Sequence, residues 1–437
     1  MRYHFAKPLP LLLGIVICCL GFGCSNSERI DNEIVAFWDI EEDATPLSTE
    51  LNYLPIDDSE YPYAGIPRIV IETENNKPIE DRETEIPAKM QIWGKDEPES
   101  EQMVLTIRGR GNTSWTDMSK KSYKIEFIQK QSLLGMPKDR DWALIANYAD
   151  KTLMKNYLAY HLSAELGAFY APRCEFVELY LNKEYLGVYL LTETIKISKK
   201  RIKLPQTENS FVVEVDGKYR PEEQVVFSKV LHQSTTGKAF KIHEPHNASE
   251  QALADIESHI QAFETQLKSG TETLDEWLDF DESVKYYWIQ ELSKNLDAGF
   301  NTSIYFTYEK GGKIKMGPVW DFDLAFGRHT EDTAYVPQNW YIREHFWHKI
   351  FFSDSLYNKT AIEFWETNLP VFKATLDTID SVGKRIGNAA QNNFKRWRRL
   401  ENSIFYTQRA YESYGEALED LKDWLNQRIE WISQNIY

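Results

Sequence analysis

The sequence predicts an α+β fold in two lobes. One is β-rich and covers residues 62–205; the other, 206–437, opens on a small sheet and closes in helices. Three observations carry this. The 437 residues are 42% hydrophobic and 14% aromatic, which supplies more core than one small domain would use. Runs that alternate apolar and polar residues recur from Ile66 to about His243, with Gly, Asn and Pro between them. Beyond Trp320 the spacing is mostly helical, and Trp340, Trp347, Trp365, Trp397, Trp424 and Trp431 read as core. The formal net charge of −17 disfavours nucleic acid as a partner and offers no basic patch to a membrane surface.

Residues 1–23 read as a lipoprotein signal peptide. Arg2 and Lys7 precede an apolar run from Leu9 to Leu20 that is too short to span a bilayer comfortably. Gly23-Cys24-Ser25 resembles a bacterial lipoprotein processing site, although Gly21 stands where such sites usually carry Leu. The expectation is a protein exported to the cell envelope and held at a membrane only through a lipid on Cys24. Processing would leave Cys24 and Cys174, so with Cys24 lipidated no internal disulfide can form. Residues 24–61 are acidic, lack periodicity and read as a tether.

Strands are predicted over 66–72, 88–93 and 102–108. Arg108-Gly109-Arg110-Gly111 follows. Two glycines one residue apart, flanked by donors, can bring backbone N–H groups close to phosphate, and can equally form an ordinary hairpin turn. Lys120, Lys121 and Lys124 come next, on a strand. A glycine turn with lysines on the following strand can cover a nucleotide and neutralise its phosphates; lysines also mark solvated strand edges. Residues 133–144 read as a loop and a short strand. Asp150 reads as the N-cap of a helix over 151–166 that Gly167 stops, with His161 packed on its apolar face. Strands 175–181 and 185–191 pair through Asn182-Lys183-Glu184 and lead into Thr192-Glu193-Thr194. Strand, glycine turn, strand, helix, hairpin, connector is also the order of a kinase-like N-terminal lobe.

In the second lobe, 211–215 and 239–243 are the clearest strands. His243-Glu244-Pro245-His246 lacks the third partner a metal site needs. Helices are predicted over 249–267 and 282–296, the second running into Asn295-Leu296-Asp297. A hairpin over 304–316, turned by Gly311-Gly312, then delivers Trp320-Asp321-Phe322-Asp323. Singly, Asp297 and Asp321 would cap turns. Together, an Asp followed by Asn301, a hairpin and an Asp at a strand end can hold a metal ion and orient a nucleophile.

With these pieces placed, the sequence resembles the CotH family of spore coat protein H-like atypical kinases. The resemblance rests on 108–115, on 120–124, on 141–150, on 180–193, on Asp297 with Asn301, and on 320–323, in family order over roughly residues 65 to 435. It implies a protein-kinase-like fold that binds ATP between its lobes together with Mg²⁺. By that resemblance Asp297 is the catalytic Asp that orients the acceptor hydroxyl. Asp321 is the metal-binding Asp, Asn301 lies on the metal side, and Asp323 is either a second carboxylate ligand or a structural cap. Arg108, Gly109 and Gly111 border the nucleotide, Lys121 or Lys124 contacts phosphate, and Glu193 lies at the hinge. The expected activity is phosphate transfer from ATP to Ser or Thr of an exported or surface protein. An export signal takes the chain away from ATP, so the alternative is a non-catalytic surface lipoprotein of the same fold that binds a protein or glycan.

Overall fold

The computed structural model describes residues 56–232, 236–327, 335–402 and 409–437. The expected signal peptide and Cys24 lie outside these residues, as does most of the expected tether. The described residues form a mixed α+β structure, and among them no helix is long and apolar enough to cross a membrane.

Seven strands close into a barrel: β1 (Arg68–Thr73), β2 (Ile86–Trp93), β3 (Met103–Arg110), β4 (Ser122–Gln131), β5 (Asp139–Ile145), β6 (Cys174–Leu181) and β7 (Glu184–Glu193), in the order β1-β2-β3-β4-β5-β7-β6. Neighbours are antiparallel except at the closure, where β1 runs parallel to β6 with Ile69 opposite Leu179. The alternation read from the sequence is the pleat itself: Leu105 and Ile107, Ile125 and Phe127, and Trp142 and Leu144 fill the barrel, while their chain neighbours point out. β7 has no such alternation because both its faces are covered. Tyr189 and Leu191 point into the barrel, and Val188 and Leu190 join the larger core outside it.

The loop and short strand expected over 133–144 are a loop followed by the 7-residue β5. Two local expectations are corrected. A single helical turn, α1 (Thr113–Thr116), interrupts the glycine turn. The helix after Asp150 is α2 (Lys155–Glu165), and it starts late because Leu153 adopts a left-handed φ of 61°. The Asp150 carboxylate instead spans the irregular turn, accepting from the Thr152 N–H at 2.8 Å and the Lys155 N–H at 2.9 Å.

A second, five-stranded sheet has the order β12-β11-β8-β10-β9. It comprises β8 (Ser210–Val215), β9 (Val225–Ser228), β10 (Lys238–Glu244), β11 (Ile304–Glu309) and β12 (Lys315–Met316). Helices α3 (Glu250–Ser269), α4 (Leu274–Trp277) and α5 (Phe280–Ser293) follow β10, and α5 is buried along nearly its whole length. It stops before Asp297 rather than running into it, because Lys294 takes a left-handed φ of 46°. The chain ends in the 43-residue helix Ser355–Trp397 and the helix Tyr414–Asn435. Trp347 and Trp365 are fully buried, in keeping with the core reading.

The long helix is tied to the barrel by Lys120. This buried side chain donates to the carbonyls of Ala146 and Val188, and to Asn393 Oδ1 at 3.0 Å, with its ammonium over the Tyr189 ring. Burial pushes its pKa well down, and three oxygen acceptors hold the ammonium in place. Lys120→Met removes every donor and strands buried acceptors, so a loss of about 2–4 kcal/mol is expected. Urea unfolding checks this; an unchanged midpoint would show that the clamp contributes little.

Candidate functional site

The acid-bearing segment is held by two buried asparagines. Asn295 Nδ2 donates to the Asp321 carbonyl at 2.9 Å, and its Oδ1 accepts from the Asp297 N–H at 3.3 Å. One amide thus joins the two acidic loops. Asn156, on α2, accepts the Phe322 N–H at 2.8 Å and donates to Asp323 Oδ1 at 2.9 Å. Between these struts Asp321 takes a left-handed φ of 60°, a conformation that costs a non-glycine residue on the order of 1 kcal/mol. The Asp297 carbonyl accepts the N–H groups of Asn301 and Thr302, which folds that loop back on itself.

Three carboxylates result, near enough to sense one another. Desolvation, then Asp323, then Asp297 raise the pKa of Asp321 to about 8, against the opposing pull of Arg110. Such a group of hard oxygen donors suits a small divalent cation. Among the described residues no group of three or more His, Cys, Asp or Glu side chains is placed to hold a metal ion, so these three acids do not by themselves form a complete ligand set. That pattern is compatible with Mg²⁺, which is commonly held by one or two carboxylates plus waters and phosphates.

The acids face a cleft of about 370 Å³. Gly111 to Ser114 border it from the barrel, and Glu214 and Asp216 from the end of β8. Of the residues singled out from the sequence, Asp297, Asp321, Asp323, Arg108 and Gly111 line this cleft. Gly109 stands behind it with its N–H on the Asp81 carbonyl at 2.9 Å; a Cβ there would lie 2.5 Å from the Trp115 ring.

The other candidates lie elsewhere. Lys121 donates to the Trp115 carbonyl. Lys124 points out of the barrel, where it pairs with Glu126 at 2.8 Å and Asp141 at 3.2 Å. The period-2 pleat sends Lys124 away from the barrel interior that Tyr123 and Ile125 occupy. Glu193 is buried and bound to Arg173 at 2.8 Å, so it braces the connector instead of lining the cleft. Asn301 is exposed, with its amide on the Leu296 carbonyl at 3.4 Å; Thr302 and Ser303 of the same loop reach the cleft in its place. His243 lies at the cleft edge against the Ile195 carbonyl at 2.9 Å, and burial lowers its pKa to about 4, leaving it neutral at pH 7.

Several cleft residues carried no role in the sequence reading. Lys241 pairs with Glu214 at 2.6 Å and lies near Asp216 and Glu223. Asp216 accepts the Thr302 hydroxyl at 3.0 Å, which links the second sheet to the Asp297 loop. Asn295 had one visible signal, its place two residues before Asp297. Glu214 and Asp216 had none beyond ending a strand.

Fold and site together define a mixed α+β protein whose cleft sets paired carboxylates opposite a glycine turn. A family model described as CotH kinase protein matches residues 107–432 of the 437, from inside β3 to within the last helix. The chain belongs to the CotH family. No curated protein matches it.

Proposed function

We propose that this chain is an atypical, protein-kinase-like phosphotransferase that moves phosphate from ATP to Ser or Thr of an exported or surface protein, tethered by a lipid on Cys24. The observation that carries the reading is the convergence of Asp297, Asp321 and Asp323 on one cleft bordered by the glycine turn. In this proposal the barrel and the helical remainder serve as the two lobes of a kinase-like arrangement.

Asp297 accepts the proton of the acceptor hydroxyl as its oxygen attacks the terminal phosphorus and ADP leaves. Asp321 and Asp323 would hold Mg²⁺, which when bound neutralises charge on the phosphate oxygens. Asn295 fixes the backbone of both acidic loops and Asn156 holds the Asp323 carboxylate, so little reorganisation is needed during reaction. The Gly111 region can bring backbone donors near phosphate, since Gly111 has a φ of 100° that other residues rarely adopt.

The test is Mg²⁺-dependent transfer from labelled ATP to a mixed Ser/Thr peptide library or to the chain itself. Asp297→Asn is expected to lower the rate by about 10²–10⁴-fold while ATP binding persists. Absence of both transfer and ATP binding in the intact protein would overturn this function. The non-catalytic surface-binding role that the export signal favours would then stand.

A further inference from the structure

The geometry points to Arg110 as the side chain that grips phosphate in the cleft, in place of the lysine expected on the next strand. The ligand class is a di- or triphosphate group. Its identity as a nucleotide rests on the phosphotransfer reading, whereas the site itself does not.

Arg110 ends β3 and lines the cleft beside Asp321. Its guanidinium lies 4.8 Å from the centre of the Trp320 ring, one residue before that acid. Among the described residues no hydrogen bond or ion pair engages it. The other arginines of the cleft are committed. Arg82 donates to the Gly111 carbonyl at 2.8 Å and to Asn112 Oδ1 at 2.7 Å. Arg108 donates to the Arg82 carbonyl at 2.6 Å and sits 3.6 Å from Glu85. Arg220 pairs with Glu83 at 3.0 Å and approaches Glu222 and Glu223. Lys241 is matched by acids on its own side of the cleft. Lys218 is exposed to solvent.

Arg110 is therefore a half-buried cation with uncommitted donors at the mouth of an acidic site. A guanidinium offers planar, paired N–H groups that match phosphate oxygens, and contact with an indole restrains it before ligand arrives. Arg110 and Asp321 line the same cleft, and the Trp320 ring that carries the guanidinium precedes that acid in the chain, so a phosphate chain reaching Asp321 comes within range of Arg110. The tight packing behind Gly109, where no Cβ fits against Trp115, fixes the strand end from which Arg110 projects.

The experiment measures binding of pyrophosphate, tripolyphosphate and ATP, each with Mg²⁺, by calorimetry on the full chain. Arg110→Ala is expected to weaken all three by about tenfold or more, and Arg110→Lys to recover only part of this. Lys121→Ala and Lys124→Ala are expected to bind as the parent does. If Arg110→Ala fails to fold, Arg110→Gln keeps the stem over Trp320 and replaces it. Unchanged binding in the arginine variants, an equal loss in either lysine variant, or no binding of any probe by the parent would overturn the inference. Binding through Arg110 without transfer from ATP would uphold it while sinking the phosphotransfer reading. Transfer that survives Arg110→Ala at full rate and affinity would do the reverse.

Discussion

Asp321→Asn is expected to abolish Mg²⁺-dependent transfer, by about 10³-fold or more, and at the same time to stabilise the metal-free protein. The first effect follows from removing the carboxylate proposed to anchor the cation. The second follows from the crowding of Asp321 by Asp323 and Asp297, which together with desolvation raises its pKa from 3.8 to about 8. A group with a raised folded-state pKa contributes stability that is fully present below its unfolded value and is lost as pH rises through the folded one. The native Asp therefore becomes progressively less favourable between about pH 4 and pH 8, and the amide does not. In EDTA the variant should be more stable than the parent by about 1–3 kcal/mol at pH 8, with little difference at pH 4. Thermal unfolding at both pH values checks this. Mg²⁺ should raise the midpoint of the parent and leave that of the variant unmoved. A variant less stable than the parent at pH 8 would mean that the carboxylate serves the fold.

Arg428→Ala is expected to cost about 3–5 kcal/mol of folding stability. Arg428, on the last helix, and Glu291, on α5, are both fully buried and lie 2.6 Å apart. Arg428 also donates to the carbonyls of Pro337 at 2.8 Å and Asn339 at 2.7 Å. Glu291 accepts the N–H groups of Tyr341 and Arg343, each at 2.8 Å. One ion pair thus fastens the final helix, α5 and the segment between them. Removing the arginine leaves the buried Glu291 carboxylate without its cation and three carbonyls, those of Glu291, Pro337 and Asn339, without this donor. α5 ends just before the Asn295 strut, so cation affinity should fall together with the unfolding midpoint. The double change Glu291→Gln with Arg428→Met should recover part of the stability, because it leaves no buried charge. A single variant that unfolds like the parent would show that the pair is replaceable.

The acids and their neighbourhood were legible because the signals are local. Asp321 follows a hairpin whose turn glycines and alternating residues are contiguous in the chain, and Asp297 follows a helix with its own apolar pattern. The glycine turn between two strands could be read in the same way, and Gly111 and Arg108 do border the cleft. What failed was side-chain direction. Lys121 and Lys124 have the right charge at a reasonable distance from the glycines, yet barrel register turns Lys124 outward to Asp141, a residue on the neighbouring strand. Glu193 reads as a connector acid until Arg173 is seen beside it.

By itself, then, the sequence determined the α+β class, most strands and helices, and the family motifs that contain Asp297 and Asp321. These depend on periodicity and on residues close along the chain. Only the tertiary structure decided that β1 closes onto β6, more than a hundred positions later, and that Asn156 from α2 reaches Asp323. It also decided that Arg110, and not Lys121 or Lys124, lines the cleft with the acids. The reason is physical: a pleat or a helical turn is set by neighbours in sequence, whereas the contents of a cleft depend on how separate elements pack, and no single segment encodes that packing.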